Sequence, residues 1–306
     1  NSVREEVRKE EKKVFSKRLY VLDGYSIIYR SYFAHISNPL TDGKGVNISA
    51  YFGFFSTLLS LLTSYRMDYL AIAMDEKAPT FRHEMYPEYK ATRDKAPEDL
   101  HAQVPMIKET LSKMNISTVA NPGFEADDVI ASLTRKAEEN ETETIIVTGD
   151  KDLMQLVGGH VSALRPPKKG ESQYRIMQEK EVEEEYGVKP SQIVDFLSII
   201  GDKADNVPGI KGLGEKGAVK LLSEYVSLDG IYRHLDMLPA GTRKKLEEGK
   251  ADGELSKKLI ELSFDALPSS FDISTLDASA IVLADGIEDL EAHGCRSIAR
   301  RVASLS

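Results

Sequence analysis

The chain has 306 residues, of which 41% are hydrophobic and 29% are charged, as is ordinary for a globular protein. Its formal net charge of −9 argues against a phosphate-rich partner, unless the acids are gathered at one site. The sequence contains no apolar run of about 18 residues, which excludes a membrane-spanning helix. Because the chain has one cysteine and a charged first segment, we expect a reducing, cytoplasmic setting.

Three short apolar runs predict buried strands in the first half of the chain, and helical patterns lie between them. The strands are expected at Leu19–Leu22, Tyr69–Met74 and Thr144–Val147. The helices are expected at Tyr25–His35, Ser49–Tyr65, Glu98–Met114 and Ala126–Glu139. Because strand and helix alternate, we expect an α/β fold, in which a mostly parallel sheet is covered by helices on both faces.

Beyond about residue 178 strands become scarce and helical segments follow one another. Helices are expected at Glu179–Tyr186, Ser191–Ile200, Ala218–Tyr225 and Leu228–Leu235, and also in the tail at 285–306. Residues 1–17 are rich in Lys, Arg and Glu and predict a charged N-terminal arm. The sequence therefore predicts an α/β domain at 18–185 and an α-helical lobe at 186–306.

An aspartate follows each of the three predicted strands. These residues are Asp23, Asp75 and Asp150. The carboxyl ends of parallel strands lie along one edge of a sheet, where open α/β sheets bind their ligands. The three carboxylates are therefore expected to converge on one site.

Six further acids are expected at the same edge, and they are Glu125, Asp127, Asp128, Asp152, Asp202 and Asp205. Each of them alone also fits a helix cap or a turn. Nine acids in one cleft, however, would repel each other strongly unless cations bind between them. Oxygen ligands without His or Cys favour Mg²⁺ or Mn²⁺. This number of acids exceeds what one ion needs, so we expect two ions, as in two-metal nucleases and phosphatases.

The segment at 80–99 mixes basic and aromatic residues directly after the strand that precedes Asp75. Such a mixture suits single-stranded nucleic acid, because cations follow the phosphates and rings such as Tyr89 stack on bases. Lys90 and Arg93 are three residues apart and could clamp a scissile phosphate. The alternative interpretation is a solvated charged loop.

A second phosphate-binding element is expected in the glycine-rich segment at 206–218. Gly209, Gly212 and Gly214 permit tight turns, and a turn that opens a helix presents free N–H groups to an anion. Gly212, Gly214 and Gly217 also match the spacing of a dinucleotide-binding fingerprint, but no strand precedes them. A hairpin that grips a DNA backbone fits the segment better.

Four motifs, at 86–93, 123–128, 148–152 and 201–218, together resemble the 5′-nuclease family. The resemblance runs from about Arg18 to the end of the chain and is closest to the N-terminal module of bacterial DNA polymerase I. It implies a PIN-like core, a helical arch at about 77–97 and a helix–three-turn–helix hairpin at about 191–225. The stretch at 94–97 departs from the family pattern, which leaves the detail of the arch open.

The resemblance also implies a role for each matching residue. The first metal ion would be served by Asp23, Asp75, Glu125, Asp127 and Asp128, and the second by Asp150, Asp152, Asp202 and Asp205. Lys90 and Arg93 would stabilise the phosphate, and Arg30 and Arg82 match further basic positions at the DNA. The hairpin from Gly209 to Lys216 would hold the duplex, where the family often binds a monovalent cation such as K⁺.

The implied activity is that of a 5′→3′ exonuclease and flap endonuclease, which acts on DNA 5′ ends, flaps or nicks and on RNA primers on DNA. We expect a bacterial, nucleoid-associated monomer, either attached to a polymerase domain or standing alone. Two alternatives stay open. A PIN-type ribonuclease would use the same metals but lack the hairpin lobe after Asp205, and a non-catalytic module would bind flap DNA without cleaving it.

Overall fold

The computed structural model describes residues 14–305, and its centre is a six-stranded sheet. The strands are β1 (Lys17–Asp23), β2 (Tyr69–Ala73), β3 (Ser117–Val119), β4 (Thr142–Val147), β5 (Val161–Arg165) and β6 (Arg175–Met177). Their order is β3-β2-β1-β4-β5-β6, with β1 to β5 parallel and β6 antiparallel to β5. The predicted mostly parallel sheet is therefore confirmed.

Helices flank the sheet and continue into a helical region. The first six are α1 (Gly24–Ala34), α2 (Ser49–Ser64), α3 (Phe81–Met85), α4 (Glu98–Lys113), α5 (Ala126–Glu139) and α6 (Glu179–Tyr186). The others are α7 (Ile193–Ile200), α8 (Glu215–Tyr225), α9 (Leu228–Arg233), α10 (Ala240–Glu248), α11 (Lys250–Ile260), α12 (Ile287–Ala292) and α13 (Arg296–Ser304). Of the expected charged arm, residues 1–13 lie outside the described residues, and Lys17 already belongs to β1.

The core consists of two layers on the sheet and a separate cluster in the helical region. One face of the sheet packs on α1, α2 and α4, and the other packs on α5. The apolar runs LYVL of β1 and IIV of β4 lie between both layers, as expected for central strands of a sheet that is covered on two faces. The third cluster joins α7, α8, α9 and α11. This arrangement leaves the carboxyl ends of the central strands facing the helical region.

The expected arch is less helical than the sequence suggested. Within 77–97 only α3 is helical, and the residues after it form turns and irregular structure. The segment folds back onto the site: the backbone N–H of Lys90 donates to the carbonyl of Asp205 at 2.8 Å, and the Asn206 amide donates to the Glu88 carbonyl at 2.8 Å. Lys90 has a left-handed backbone at φ 59°, which turns its side chain back toward the acids.

The chain does not stay in the helical lobe to its end, which corrects the expected single lobe at 186–306. From Leu262 onward it returns to the α/β layer, where Leu276 packs in the α5 core. The last two helices, α12 and α13, then pack on α2 through Leu290, Ile298 and Val302. Their apolar faces are buried against α2. Because this contact joins segments far apart in the sequence, no local pattern predicts it. No helix within residues 14–305 is long and apolar enough to span a bilayer.

Candidate active site

The site is a cleft of about 620 Å³ at the carboxyl edge of the central strands. Strand β1 ends at Asp23, β2 is followed shortly by Asp75, and β4 by Asp150, as the parallel topology requires. All three side chains line the cleft. The convergence expected from the strand pattern is therefore confirmed.

Asp23, Asp127 and Asp150 form the first carboxylate triad, in which one oxygen of each lies within 4.8 Å of the others. Burial and the neighbouring Asp150 raise the pKa of Asp23 to about 7, although the Thr148 hydroxyl donates to it at 3.1 Å. Burial and the charges of Asp150 and Asp23 also raise the pKa of Asp127 well above its ordinary value. The first triad thus holds more negative charge than its surroundings can stabilise.

Asp152, Asp202 and Asp205 form the second triad, again with oxygens within 4.8 Å. The Oδ1 atom of Asp152 is buried and has no hydrogen-bond donor. Burial and the nearby Asp150 and Asp202 raise the pKa of Asp152 well above its ordinary value. A buried acceptor without a donor, within an all-oxygen set, is what a site for a hard divalent cation requires.

The grouping differs from the expected one at Asp150, which lies with the first triad rather than the second. The reason is local geometry: Asp150 caps the short 3₁₀ helix Lys151–Leu156 and accepts from the N–H of Asp152 at 2.9 Å. This turn directs the two side chains to different triads. The spacing of two residues alone could not separate them.

Asp75 and Glu125 line the same cleft but belong to neither triad. Asp75 accepts from the backbone N–H of Ala126 at 2.8 Å, and burial raises its pKa. Burial alone would raise the pKa of Glu125 as well, but the charges of Lys90 and Arg82 lower it. Glu125 is therefore held as an anion by the cations of the arch segment.

Asp128 is not a ligand in this arrangement, which corrects the sequence-based expectation. Its side chain is fully buried, and both oxygens accept hydrogen bonds from Arg82 at 2.7 and 2.9 Å. The backbone N–H groups of Ser263 and Glu125 donate to the same carboxylate at 2.8 and 3.1 Å. The residue is saturated by donors and does not line the cleft.

Lys90 and Arg93 line the cleft beside the triads, but they lie in turns of the arch segment and not on one helix face as their spacing suggested. The Lys90 ammonium pairs with Glu125, and the Arg93 guanidinium pairs with Asp205 of the second triad. Both side chains line the cleft, and Arg93 is about half exposed. The cleft therefore carries two cations in direct contact with members of its acidic set.

Arg82 and Tyr89 line the cleft but are almost fully buried, so neither presents an exposed surface to DNA in this structure. Arg82 is 1% exposed, and its guanidinium is used by carboxylates and backbone carbonyls. The Tyr89 hydroxyl donates to the Glu125 carboxylate at 3.0 Å, and its ring lies in the core of the helical region. The alternation of basic and aromatic residues was interpreted as a nucleic-acid surface, but part of it faces inward.

The hairpin residues divide into a buried and an exposed group. Gly209 is buried at φ 66°, and its N–H donates to the Ser256 hydroxyl at 2.8 Å, so it is not free to bind an anion. Gly212, Gly214 and Lys216 are exposed just before α8 and in its first turn, where the first N–H groups of a helix have no partner within the helix. This corrects the expectation for Gly209 and leaves the other three as predictions.

Arg30 is exposed beside a second cleft of about 330 Å³ and donates to the Pro167 carbonyl at 2.7 Å. Its expected DNA contact stays a prediction. Sequence reasoning missed the segment at 259–262, which reaches the active-site cleft from the end of α11. It is brought there by folding across more than a hundred residues, so no local pattern could have indicated it.

The sequence comparisons decide the family. A model described as "5'-3' exonuclease, N-terminal resolvase-like domain" matches residues 18–187, and one described as "5'-3' exonuclease, C-terminal SAM fold" matches residues 188–282. The chain belongs to the 5′-3′ exonuclease family. These two matches cover both the α/β domain and the helical region that carries the hairpin.

Similar protein sequences agree with this assignment. DNA polymerase I of Treponema pallidum is 42% identical over 84% of the chain, which spans 26% of that protein. A 5'-3' exonuclease of Aquifex aeolicus is 40% identical over 81% of the chain and 83% of its own length. The chain thus spans less than a third of the polymerases that it matches.

Solved structures show the same fold at low sequence identity. The T5 5'-exonuclease with bound zinc superposes with a TM-score of 0.65 at 20% identity, covering 94% of this chain and 99% of that one. The catalytic core of Rad2 in complex with DNA superposes at 0.60 and 17% identity, covering 94% and 91%. The 5′-3′ exonuclease family fold is therefore shared across nearly the whole described chain.

Proposed function

We propose that this family member hydrolyses phosphodiester bonds at DNA 5′ ends and flaps with two divalent cations, Mg²⁺ or Mn²⁺. The observation that carries the proposal is the cleft itself. It is lined by members of both carboxylate triads and by the cations of Lys90 and Arg93, which pair with Glu125 and Asp205. A phosphate in this cleft would meet positive charge from the bound ions and from Lys90 and Arg93.

The residues present fit such cations. The two triads would hold one ion each, and Asp75 and Glu125 complete the acidic set around them. The donorless Oδ1 of Asp152 is an acceptor that a cation would satisfy. When bound, divalent cations would neutralise phosphate charge and activate water for attack.

Lys90 and Arg93 would hold the scissile phosphate and stabilise the charge that develops during cleavage. In the described structure each of them pairs with a carboxylate, Lys90 with Glu125 and Arg93 with Asp205. A phosphate that enters the cleft would take over these donors. Because the charge on phosphate oxygens is redistributed in the transition state, we assign both residues to turnover more than to affinity.

The duplex would be held away from the cleft, at the start of α8. Gly212, Gly214 and Lys216 are exposed there, so free backbone N–H groups and one ammonium can meet a DNA phosphate. Arg30 would add a contact beside the neighbouring cleft. A monovalent cation at the hairpin stays a prediction from family resemblance.

We also propose that the chain acts in primer removal and repair at bacterial DNA, in the cytoplasm. The first relatives are DNA polymerases of which it spans 26–30%, which favours a nuclease module attached to a polymerase domain. The Aquifex aeolicus relative, of which it covers 83%, supports a stand-alone nuclease as the second candidate.

A single cleavage assay tests the proposed function. A 5′-labelled flap substrate should be cut in Mg²⁺ and stay intact in EDTA, whereas single-stranded RNA should be cut far more slowly. Asp152→Asn should bind the flap but cut it at least about 100-fold more slowly. Asp236→Asn, at an exposed position outside the cleft, is the matched control.

The alternatives give different results. Preferred cleavage of the RNA would indicate a PIN-type ribonuclease. Tight flap binding without any cleavage in Mg²⁺ or Mn²⁺ would indicate a non-catalytic module.

A further inference from the structure

Arg82 is a fully buried arginine at the base of the arch segment, in α3. Its five N–H donors all have acceptors. Nη1 and Nη2 grip the two oxygens of Asp128, and Nη1 also reaches Glu125 Oε2 at 2.7 Å. Nε donates to the Leu259 carbonyl at 2.7 Å and Nη2 to the Glu261 carbonyl at 3.0 Å. The ring of Phe81 covers the guanidinium at 4.4 Å.

These acceptors belong to different parts of the molecule. Asp128 and Glu125 stand at the start of α5, where Glu125 is the N-cap residue. The two carbonyls belong to the end of α11 and the segment that follows it. One side chain therefore joins the arch segment, the acidic edge of the sheet and the helical region, which are distant in sequence.

Glu125 transmits this anchoring to the cleft. Arg82 holds Oε2 of Glu125, while the Tyr89 hydroxyl donates to both of its oxygens and the Lys90 ammonium pairs with Oε1. The backbone N–H of Lys90 is held in turn by the Asp205 carbonyl. Moving Glu125 would therefore move the cation that faces the triads.

The chemistry of the contact requires arginine. A lysine keeps the positive charge, but its three donors on one nitrogen cannot grip a carboxylate in parallel and reach two carbonyls on another side. The substitution Arg82→Lys therefore loosens the anchor without leaving the buried carboxylates uncompensated. The substitution Asp128→Asn loosens it from the other side and keeps an acceptor oxygen.

We propose that Arg82, clamped by Asp128, is a positioning residue that sets the place of Glu125 and Lys90 for cleavage. It acts without touching DNA or metal, although the sequence placed it among the DNA contacts and Asp128 among the ligands. The proposal rests on the proposed nuclease function. If the role of Arg82 were merely structural, its substitution would lower the stability of the fold. The activity would then fall only in proportion to the fraction of folded protein.

The first experiment is a double-mutant cycle on flap cleavage in Mg²⁺. Arg82→Lys should lower kcat by at least about 50-fold and change KM by less than about 3-fold. Lys90→Ala should lower kcat by about 100-fold in the wild-type chain but by less than about 5-fold in the Arg82→Lys chain, because Lys90 is already displaced there. Losses that multiply independently would overturn the proposal.

A stability control separates positioning from general weakening. Ile130→Val removes one methylene from a buried side chain of α5 that packs in the sheet core and has no polar contact with Arg82. When compared at the same fraction of folded protein, Ile130→Val should have the kcat of the wild type. The decrease in kcat caused by Lys90→Ala should also be the same in the Ile130→Val chain as in the wild type. A loss of kcat in Ile130→Val as large as that in Arg82→Lys would show that weakening of the fold alone explains the result.

The second experiment does not depend on activity. Amide hydrogen exchange should become faster in the segment 82–93 in both Arg82→Lys and Asp128→Asn, while β1 and β4 keep their protection. If the arch segment stays as protected as in the wild type, Arg82 does not position it. If the wild type cleaves no DNA but the arch segment loses protection as expected, the nuclease proposal fails and the anchoring role stands.

Discussion

Replacing Asp23 by Asn should stabilise the metal-free protein at high pH, although Asp23 is at the centre of the proposed active site. Burial and Asp150 raise the pKa of Asp23 from 3.8 to about 7. The folded state then binds this proton more tightly than the unfolded state, so the free energy of unfolding falls as pH rises from about 4 to about 7. At about 1.4 kcal/mol per pKa unit, holding Asp23 ionised in this buried site beside Asp150 costs about 4 kcal/mol at pH 8.

Asparagine removes this charge but weakens the hydrogen bond that the Thr148 hydroxyl makes to Asp23 at 3.1 Å. Such a bond contributes about 1 kcal/mol, so the expected net gain is about 3 kcal/mol at pH 8. For a chain of this size the gain corresponds to a rise in Tm of about 5 °C. At pH 5 the wild-type carboxyl is largely protonated, and the gain should nearly vanish.

Thermal unfolding followed by circular dichroism in EDTA at pH 5 and pH 8 measures both values. Asp272→Asn is the control, since Asp272 is exposed and hydrogen bonds from Ser274 lower its pKa, so no gain is expected at pH 8. Added Mg²⁺ should raise the Tm of the wild type and raise that of Asp23→Asn far less. A less stable Asp23→Asn variant at pH 8, or an equal gain at pH 5, would refute the electrostatic reasoning.

Further substitutions separate cleavage, DNA binding and folding. Lys90→Ala should lower kcat by about 100-fold with little change in KM, measured by single-turnover flap cleavage; a pure affinity defect would make it a docking residue. Asp127→Ala should retain flap binding in a gel shift but cut several orders of magnitude more slowly, and near-normal cleavage would contradict the first triad. Lys216→Ala should weaken binding of all DNA sequences and reduce the salt dependence by about one ion, measured by fluorescence anisotropy at several salt concentrations. Gly209→Ala should destabilise the fold because its new Cβ would lie 2.5 Å from the Gly201 nitrogen, whereas Gly214→Ala meets nothing within 4 Å and should unfold like the wild type.

Local patterns predicted the centre of the fold but not its margins. Strands β1, β2 and β4 each contain a run of three to five consecutive apolar residues, and they were found where expected. Strands β3, β5 and β6 were missed, because they are short or mix polar with apolar residues. Their position is set by pairing with neighbouring strands, which no window of sequence contains.

The same distinction explains the outcome at the site. Asp23, Asp75 and Asp150 follow strands, so topology alone brings them together. By residue type, Arg82 could contact DNA and Asp128 could bind a metal ion. In the structure their side chains are hydrogen bonded to each other. What decided their role was burial beneath the segment at 259–262, far along the chain. The residue type indicates which interactions a side chain can make. The packing of the folded chain determines which of them it does make.

The return of α12 and α13 to the sheet domain has a practical consequence for anyone who shortens this protein. The second family model ends at residue 282, which looks like a natural place to cut. Truncation there would remove Leu290, Ile298 and Val302, which pack on α2, and would expose the apolar face of α2 to solvent. Each such side chain contributes about 1.5–3 kcal/mol when buried, so the shortened fragment should aggregate on expression while the 306-residue chain stays in solution.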